Sequence, residues 1–205
     1  MKNQSLWKRW AFTALGSFVF GIGIGICDLA MLGTDPFTVL LVGLVKQFGF
    51  TIGIMNTAVS LLMILFTFCT ERSMVSPVTF AAMFAASAGI DAVRLPGITV
   101  QEMWARILLL GVGVFLYAFG CAAAIVPEAG YDAYNGFLIS LQKLTSHSYR
   151  RVRWTVEIVF LVGGRLLGGV IGIGTLACFG FVGPLVELFR IPLAKRLRPL
   201  FEEKA

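Results

Sequence analysis

The sequence predicts an all-α integral membrane protein made of two tandem repeats of four helices. Hydrophobic residues make up 58% of the 205 residues and charged residues only 14%, whereas an average soluble chain is about a quarter charged. Apolar runs of about 17–25 residues, long enough to cross a hydrocarbon core, recur along the whole chain. A Gly-x-Asp-x-aromatic turn occurs at 33–37 and again, 97 positions later, at 130–134. The first two observations predict the membrane and the third predicts the repeat.

The first half contains one short helix among three long ones. Its helices are predicted over 10–32, from 36 to between 46 and 49, over 52–70 and over 75–93. Helix 1 is too long for the apolar region of a secretory signal, which has about 7–15 residues. Asp35 is placed as the N-cap of helix 2, with Pro36 at its first position. At about 14 residues, helix 2 rises only about 21 Å and is short for a full crossing.

The second half repeats this plan. Its helices are predicted over 104–126, 132–144 and 151–167, and from the glycine-rich turn 168–175 to about 192. An offset of 97 aligns matching residues, namely Gly16 with Gly113, Gly23 with Gly120 and Lys46 with Lys143, and a slip of one residue then aligns Thr79 with Thr175 and Asp91 with Glu187. We therefore predict one repeat over 1–97 and a second over 98–205, as in transporters built from repeats.

The distribution of Lys and Arg leaves two topologies open. If all eight helices cross and the N-terminus is cytoplasmic, 15 of the 17 basic residues lie inside, leaving Arg72 and Arg165 outside. If helices 2 and 6 re-enter instead, six cross, and Lys46, Arg94 and Arg106 join Arg165 outside, giving 13 against 4. The positive-inside rule favours eight crossings. Eight crossings would make the repeats parallel and put both acidic turns outside, whereas six would make the repeats inverted.

Four carboxylates lie near the two related turns. Asp35 and Asp132 are placed to cap helices 2 and 6, and Asp28 and Glu128 lie within a turn or two of them. Capping alone would explain the two aspartates. A cluster of four carboxylates would instead attract a cation, or would raise the pKa of one member so that it binds a proton.

A second polar set lies on helices 3 and 7. Arg153 and Glu157 are spaced i, i+4 and so share one helix face, where they can form an ion pair. The first repeat has Asn56 and Ser60 at the matching positions. Two interpretations remain open, an interfacial ion pair and the inner side of a substrate site between the repeats.

Other chemistries lack their residues in this sequence. The four cysteines all lie in apolar runs without a C-x-x-C pair, and the single histidine, His147, has no partner for a metal site or a catalytic dyad. The glycine run lacks the lysine of a phosphate-binding loop. We therefore predict no catalytic residue, no metal, no cofactor and no nucleic-acid partner.

Four motifs of this chain occur together, namely the Gly-x-Asp turn, Arg153-x3-Glu157, the glycine pattern from Gly163 to Gly174 with Thr175, and Gly183-Pro184. In these motifs the chain resembles the YczE/YyaS/YitT family of bacterial membrane proteins. The resemblance covers nearly the whole chain, and it implies a multi-pass protein of the bacterial inner membrane. Some members of the family are linked to the production of secreted peptides, and the family brings no established catalytic residues.

The expected function is small-molecule transport without enzymatic activity. A substrate, for which the carboxylates favour a cation, would bind between the repeats. Its site would use Asp35, Asp132, Asp28 and Glu128 on the outer side and Arg153, Glu157 and Asn56 on the inner side. Both termini would be cytoplasmic, with the lipid bilayer, a second copy or a membrane protein as partners. The alternative is an accessory or scaffold protein that does not transport and supports a partner complex or secreted-peptide production.

Overall fold

The protein is helical throughout the part that can be described. The computed structural model describes the backbone of residues 2–94 and 100–201 and the side chains of residues 6–93 and 100–197. Its α-helices are α1 (Lys2–Leu29), α2 (Pro36–Phe48), α3 (Ile52–Thr70), α4 (Pro77–Arg94), α5 (Met103–Ile125), α6 (Ala133–Thr145), α7 (Tyr149–Leu166) and α8 (Ile173–Phe201), with a short 3-10 helix at Arg72–Met74. This confirms the predicted fold class. The predicted boundary between the repeats, at residue 97, lies outside the described residues.

The helices differ in length as the sequence predicts. Helices α2 and α6 have 13 residues each, and the other six have at least 18. Four helices are long and apolar enough to cross a membrane, over Leu6–Leu29, Ile52–Thr70, Met103–Ile125 and Ile173–Leu197. The chain is therefore a helical membrane protein.

Helices α1 and α5 cross in close backbone contact at glycines. A Cβ atom added to Gly16 would lie 2.8 Å from Cα of Ala124, and one added to Gly23 would lie 2.6 Å from Cα of Tyr117. Small residues permit such an approach. Residue numbers rise along α1 as they fall along α5, so the two helices are antiparallel.

The remaining long helices take their direction from similar contacts. Helix α4 is parallel to α1, because Gly21 lies against Ala86 and Gly25 against Val93. Helix α8 is parallel to α5, because Cys178 packs with Leu110 and Phe189 contacts Phe115 further along both helices.

Helix α3 is antiparallel to α4, since Gly53 contacts Asp91 and Asn56 contacts Ser87. Helices α3 and α6 finish at the end of the protein where α1 begins. We call this end the basic end, because it carries Lys143. The opposite end, where α1 finishes and α3 begins, is the far end.

The two short helices point in opposite directions. Helix α2 is parallel to α7, with Leu40 beside Gly164 and Lys46 Nζ 2.6 Å from the carbonyl of Gly168, and it ends at the far end. Helix α6 is parallel to α3, because Gly136 lies beside Thr67 and its end reaches the loop that follows α3. It therefore ends at the basic end.

Both short helices begin inside the protein. Leu41 packs with Ile24, Ile52 and Ile90 near the far end, so the start of α2, five residues earlier, lies about 7 Å deeper. The Phe37 ring at that start lies 5.8 Å from the Tyr134 ring at the start of α6. Each short helix thus begins mid-protein and runs back to the end from which its leading segment entered.

This arrangement corrects the topology that the charge count favours. Because α1 and α5 are antiparallel, the two halves run in opposite directions, and parallel repeats with eight alternating crossings are wrong. These directions are compatible with the other topology, in which helices 2 and 6 re-enter, and the basic residues then divide 13 to 4, which still agrees with the positive-inside rule. The length of a short helix alone does not show whether it crosses the membrane or re-enters.

The helices pack as two groups of four. In the scaffold bundle, α1 packs on α4 and α5, and α5 packs on α8; in the re-entrant bundle, α2 packs on α7 and α3, and α6 packs on α3 and α7. The most extensive contact between the two bundles is that of α3 with α4. Contacts repeat at the predicted offset, since Gly113 meets Cys27 as Gly16 meets Ala124. This is compatible with the predicted repeat.

Candidate functional site

Aspartates cap both short helices, as predicted. Asp35 accepts hydrogen bonds from the backbone N–H of Thr38 at 3.2 Å and from its hydroxyl at 2.7 Å. Asp132 accepts from the backbone N–H of Asn135 at 3.3 Å and from its side-chain amide at 2.6 Å. The N-terminal end of a helix carries a partial positive charge, which these carboxylates oppose.

Three aromatic rings meet where the short helices begin. Phe37 lies 5.6 Å from Phe160 on α7, and Tyr134 lies 6.3 Å from Phe160. We call Phe37, Tyr134 and Phe160 the central aromatic cluster. It joins both short helices to α7 and forms the middle of the re-entrant bundle.

An ion pair lies one turn from this cluster. Arg153 Nε donates to Glu157 Oε1 at 2.8 Å, which confirms the predicted pair, and 51% of the Arg153 side chain is exposed against 12% for Glu157. Asp35 and Asp132, the caps of α2 and α6, each lie two residues before a ring of this cluster, Phe37 or Tyr134. Polar groups of both halves therefore converge on one place.

The predicted cluster of four carboxylates is divided between two places. The segment leading to Asp35 enters from the far end, where Gly33 lies against Gly172. The segment leading to Asp132 enters from the basic end, where Gly130 lies against Ser76 at the start of α4. The prediction that both turns lie on the outer side is therefore wrong, because the two halves are inverted.

Asp28 and Glu128 belong to these separate entry segments. Asp28 is half-buried in the last turn of α1, toward the far end, and Glu128 is exposed in the other segment with a left-handed backbone, φ 50°. Each therefore lies with its own turn, and neither end of the protein carries all four carboxylates.

Asn56 lies apart from Arg153 and Glu157. Its side-chain amide donates to the Ser87 hydroxyl at 2.9 Å, and the Thr57 hydroxyl donates to the same atom at 2.7 Å. These contacts seal α3 against α4 near the far end, whereas Arg153 lies near the basic end. The prediction put the three residues on one side because eight crossings would make α3 and α7 parallel.

The contact between α7 and α8 that corresponds to this α3–α4 contact is open in the second half. Asn56 and Ser87 are 6% and 7% exposed, whereas Arg153 and Gly183, which correspond to them in the repeat, are exposed. A Cβ atom added to Gly183 would meet nothing within 4 Å. We call this opening, between α7 and α8 at the basic end, the α7–α8 crevice.

Aromatic side chains line part of the crevice. Trp154 on α7 and Phe179 on α8 make an edge-to-face contact with ring centroids 5.0 Å apart. Phe179 is 43% exposed, whereas Met83, its counterpart on α4, is 4% exposed. Phe179 is therefore more exposed than its counterpart in the first half, as Arg153 and Gly183 are.

Sequence reasoning missed Tyr134, Tyr149 and Phe160. The Tyr149 hydroxyl donates to Asn135 Oδ1 at 2.9 Å and fastens the start of α7 to that of α6. Tyr134 had a usable signal, because it is the aromatic residue of the second Gly-x-Asp-x-aromatic turn. Phe160 had none, since it is one of 18 phenylalanines in an apolar chain.

Comparison with known proteins shows relatives but no function. No solved structure matches the chain. An uncharacterized protein of Bacillus subtilis (strain 168), YyaS, is 25% identical over 191 residues, covering 92% of this chain and 94% of its own. An uncharacterized protein of Haemophilus influenzae is 29% identical over 196 residues, covering 90% of this chain and 86% of its own.

A family model matches nearly the whole chain as well. The match spans residues 7–191, from the first turns of α1 to near the end of α8. Together with the similarity to YyaS, it confirms the resemblance identified from the motifs. The protein belongs to DUF6198, a family of unknown function.

Proposed function

We propose that this protein transports a small molecule across the bacterial plasma membrane, with both termini in the cytoplasm. The substrate binds beside Arg153 and Glu157 and enters through the α7–α8 crevice. One observation carries the proposal. The two short helices, which run in opposite directions, begin next to each other and beside the Arg153–Glu157 ion pair, whose Arg153 is exposed. Inverted halves with discontinuous helices at mid-membrane are a recurring design of secondary transporters.

The charges near this site favour a cationic or amino-containing substrate. Glu157 and the two capping aspartates give three carboxylates against one guanidinium, and each capping charge also offsets a helix dipole of about half an elementary charge. The ring of Tyr134, next to Phe37, offers a face to which an ammonium group binds. Intramembrane ionisable residues mark substrate pathways in many membrane proteins.

Uptake into proteoliposomes tests the proposal. A panel of radiolabelled organic cations and amino-containing compounds is compared with empty liposomes, and the compound that accumulates is then assayed with Glu157→Gln. We expect uptake to fall at least tenfold, because the variant keeps the shape of the side chain and removes its charge. Glu102→Gln is the matched control, since Glu102 is an exposed acid at the start of α5. Equal uptake by both variants, or no accumulation of any compound, would refute the proposal.

An accessory role is the second candidate, and one observation favours it. Helix α8 exposes Phe179, Phe181 and Leu188 and leaves Gly180 without neighbours, which is a surface that a partner's helix could cover. Purification in mild detergent then yields a stoichiometric partner, and the partner is lost on Gly180→Leu. Retention of uptake by the purified protein alone would exclude this role as the main one.

A further inference from the structure

The two halves pack differently although their residues correspond. In the first half, α3 of the re-entrant bundle is sealed on α4 of the scaffold bundle near the far end. In the second half, Arg153 on α7 and Gly183 on α8, which correspond to Asn56 and Ser87, are exposed instead, and a Cβ atom on Gly183 would meet nothing within 4 Å. The repeat thus contains one closed and one open version of the same contact.

We infer that the re-entrant bundle rocks against the scaffold bundle, so that the α3–α4 contact opens as an equivalent α7–α8 contact closes. The structure is then the state open to the basic end. The inference rests on the proposed transport function, for which it supplies the conformational step, and exchange between repeats is how inverted-repeat transporters alternate access.

Contacts within each bundle allow this motion as a rigid body. The α1–α5 crossing is backbone on backbone at Gly16, Gly23 and their counterparts on α5. Helix α4 is equally close to α1, since a Cβ atom on Gly89 would lie 3.0 Å from the backbone N of Ile22. Backbone contacts of this kind have no side chains that can rearrange, so α1, α4 and α5 move as one unit.

The far-end seal, in contrast, consists of polar contacts that can separate. Asp91 accepts from the Thr51 hydroxyl at 2.6 Å and from the Gly53 backbone N–H at 2.9 Å. Each of these groups can bond to water when the seal opens, so the net cost of separating each hydrogen bond is small.

The residues of the open contact are suited to form the equivalent seal. Glu187 corresponds to Asp91, and Arg150 corresponds to Gly53, so closure brings an acid and a base together. In the open state Glu187 is paired with Arg190, one turn away on the same helix, at 3.2 Å with both side chains exposed. On closure, Glu187 separates from Arg190 and pairs with Arg150.

Disulfide cross-linking in membranes tests the exchange. In a background without the four native cysteines, one variant carries Thr57→Cys with Ser87→Cys and a second carries Trp154→Cys with Gly183→Cys. The first pair replaces hydroxyls 2.7 Å apart and reports the closed far end. The second should form less readily in the present state, because a Cβ on Gly183 has no neighbour from another helix within 4 Å, whereas a disulfide needs Cβ atoms about 3.5–4.5 Å apart.

We expect both pairs to form a disulfide when an oxidant is added, each in part of the population. Adding Glu187→Arg to the second variant should lower its cross-linked fraction at least threefold, because like charges then meet on closure, and should leave the first pair unchanged. As a second measurement, a maleimide should label Gly183→Cys faster when Glu187→Arg is added, because the closed state that protects the thiol is then less populated.

The outcomes separate this inference from the proposed function. Uptake without any cross-link in the second pair, and with a labelling rate that Glu187→Arg leaves unchanged, would overturn the exchange and leave transport standing. Cross-linking of both pairs with no uptake of any compound would support the exchange and count against transport.

Discussion

The close crossing of α1 and α5 makes a quantitative prediction about Gly120. In Gly120→Ala, the new Cβ would lie 2.7 Å from Cα of Phe20 and 2.8 Å from the carbonyl oxygen of Gly16. Nonbonded carbon atoms prefer about 3.5–4.0 Å, so the helices must separate by roughly 1 Å. Overpacking of this kind costs about 1–3 kcal/mol, and backbone atoms on the facing helix cannot escape by changing rotamer.

Gly111→Ala on the same helix is the matched control. A Cβ atom there meets nothing within 4 Å, so the substitution should stabilise α5 by about 1 kcal/mol through helix propensity. The two variants should thus differ by about 2–4 kcal/mol in the free energy of unfolding. At about 2–4 °C for each kcal/mol in a chain of this size, that is a difference of roughly 4–16 °C.

Thermal unfolding in detergent measures this difference through the native cysteines. Cys27 and Cys178 are 1% and 3% exposed, so a thiol-reactive fluorophore reports their exposure as the protein unfolds. Gly23→Ala, at the corresponding place on α1, should lower the midpoint about as much as Gly120→Ala. If Gly120→Ala unfolds at the same temperature as Gly111→Ala or higher, the close backbone crossing of α1 and α5 is refuted.

Three further predictions use the same assay. Asp132→Ala should lower stability by about 0.5–2 kcal/mol through loss of the helix cap, and Asp132→Ser should recover most of it; equal loss in both would count against capping. Gly33→Ala should destabilise more than Gly49→Ala, because both have positive φ but a Cβ on Gly33 would lie 2.6 Å from Thr175 Oγ1 while Gly49 has open space; equal midpoints would contradict this. The Lys143 ammonium, 2.6 Å away, lowers the pKa of Glu71 from its ordinary 4.5, so this pair stabilises the protein above that pH and the contribution is lost as pH falls through the lowered pKa. Midpoints from pH 7 to pH 3, followed by circular dichroism because thiols do not react at low pH, should fall less steeply in Glu71→Gln, and identical slopes would exclude the effect.

Local chemistry made much of the fold predictable. The caps at Asp35 and Asp132, the short second and sixth helices and the i, i+4 pair of Arg153 with Glu157 depend on residues a few positions apart, and the structure confirms each of them. These features follow from helix geometry, which spacing in the sequence expresses directly.

The relative direction of the halves could not be predicted in the same way. It depends on which glycines face each other across α1 and α5, and a match such as Gly16 with Gly113 is the same for parallel and inverted halves. Charge counting decided wrongly because Lys46 and Arg106 lie at the far end in the inverted arrangement and weaken the bias. The candidate site followed this error, since Asn56 and Arg153 share a side only when α3 and α7 are parallel.

The packing of α2 on α7 has a consequence for the order of membrane insertion. Lys46 finds its carbonyl partner 122 residues later, at Gly168, which corresponds to roughly 6–24 s of synthesis at about 5–20 residues per second. Until then the extended segment before Asp35 has no protein against which to satisfy its backbone, and lipid offers no hydrogen bonds. The nascent chain must therefore keep this segment in water, and its entry from the far end is one of the last steps of biogenesis, although α1 and α3 on either side of it are made first.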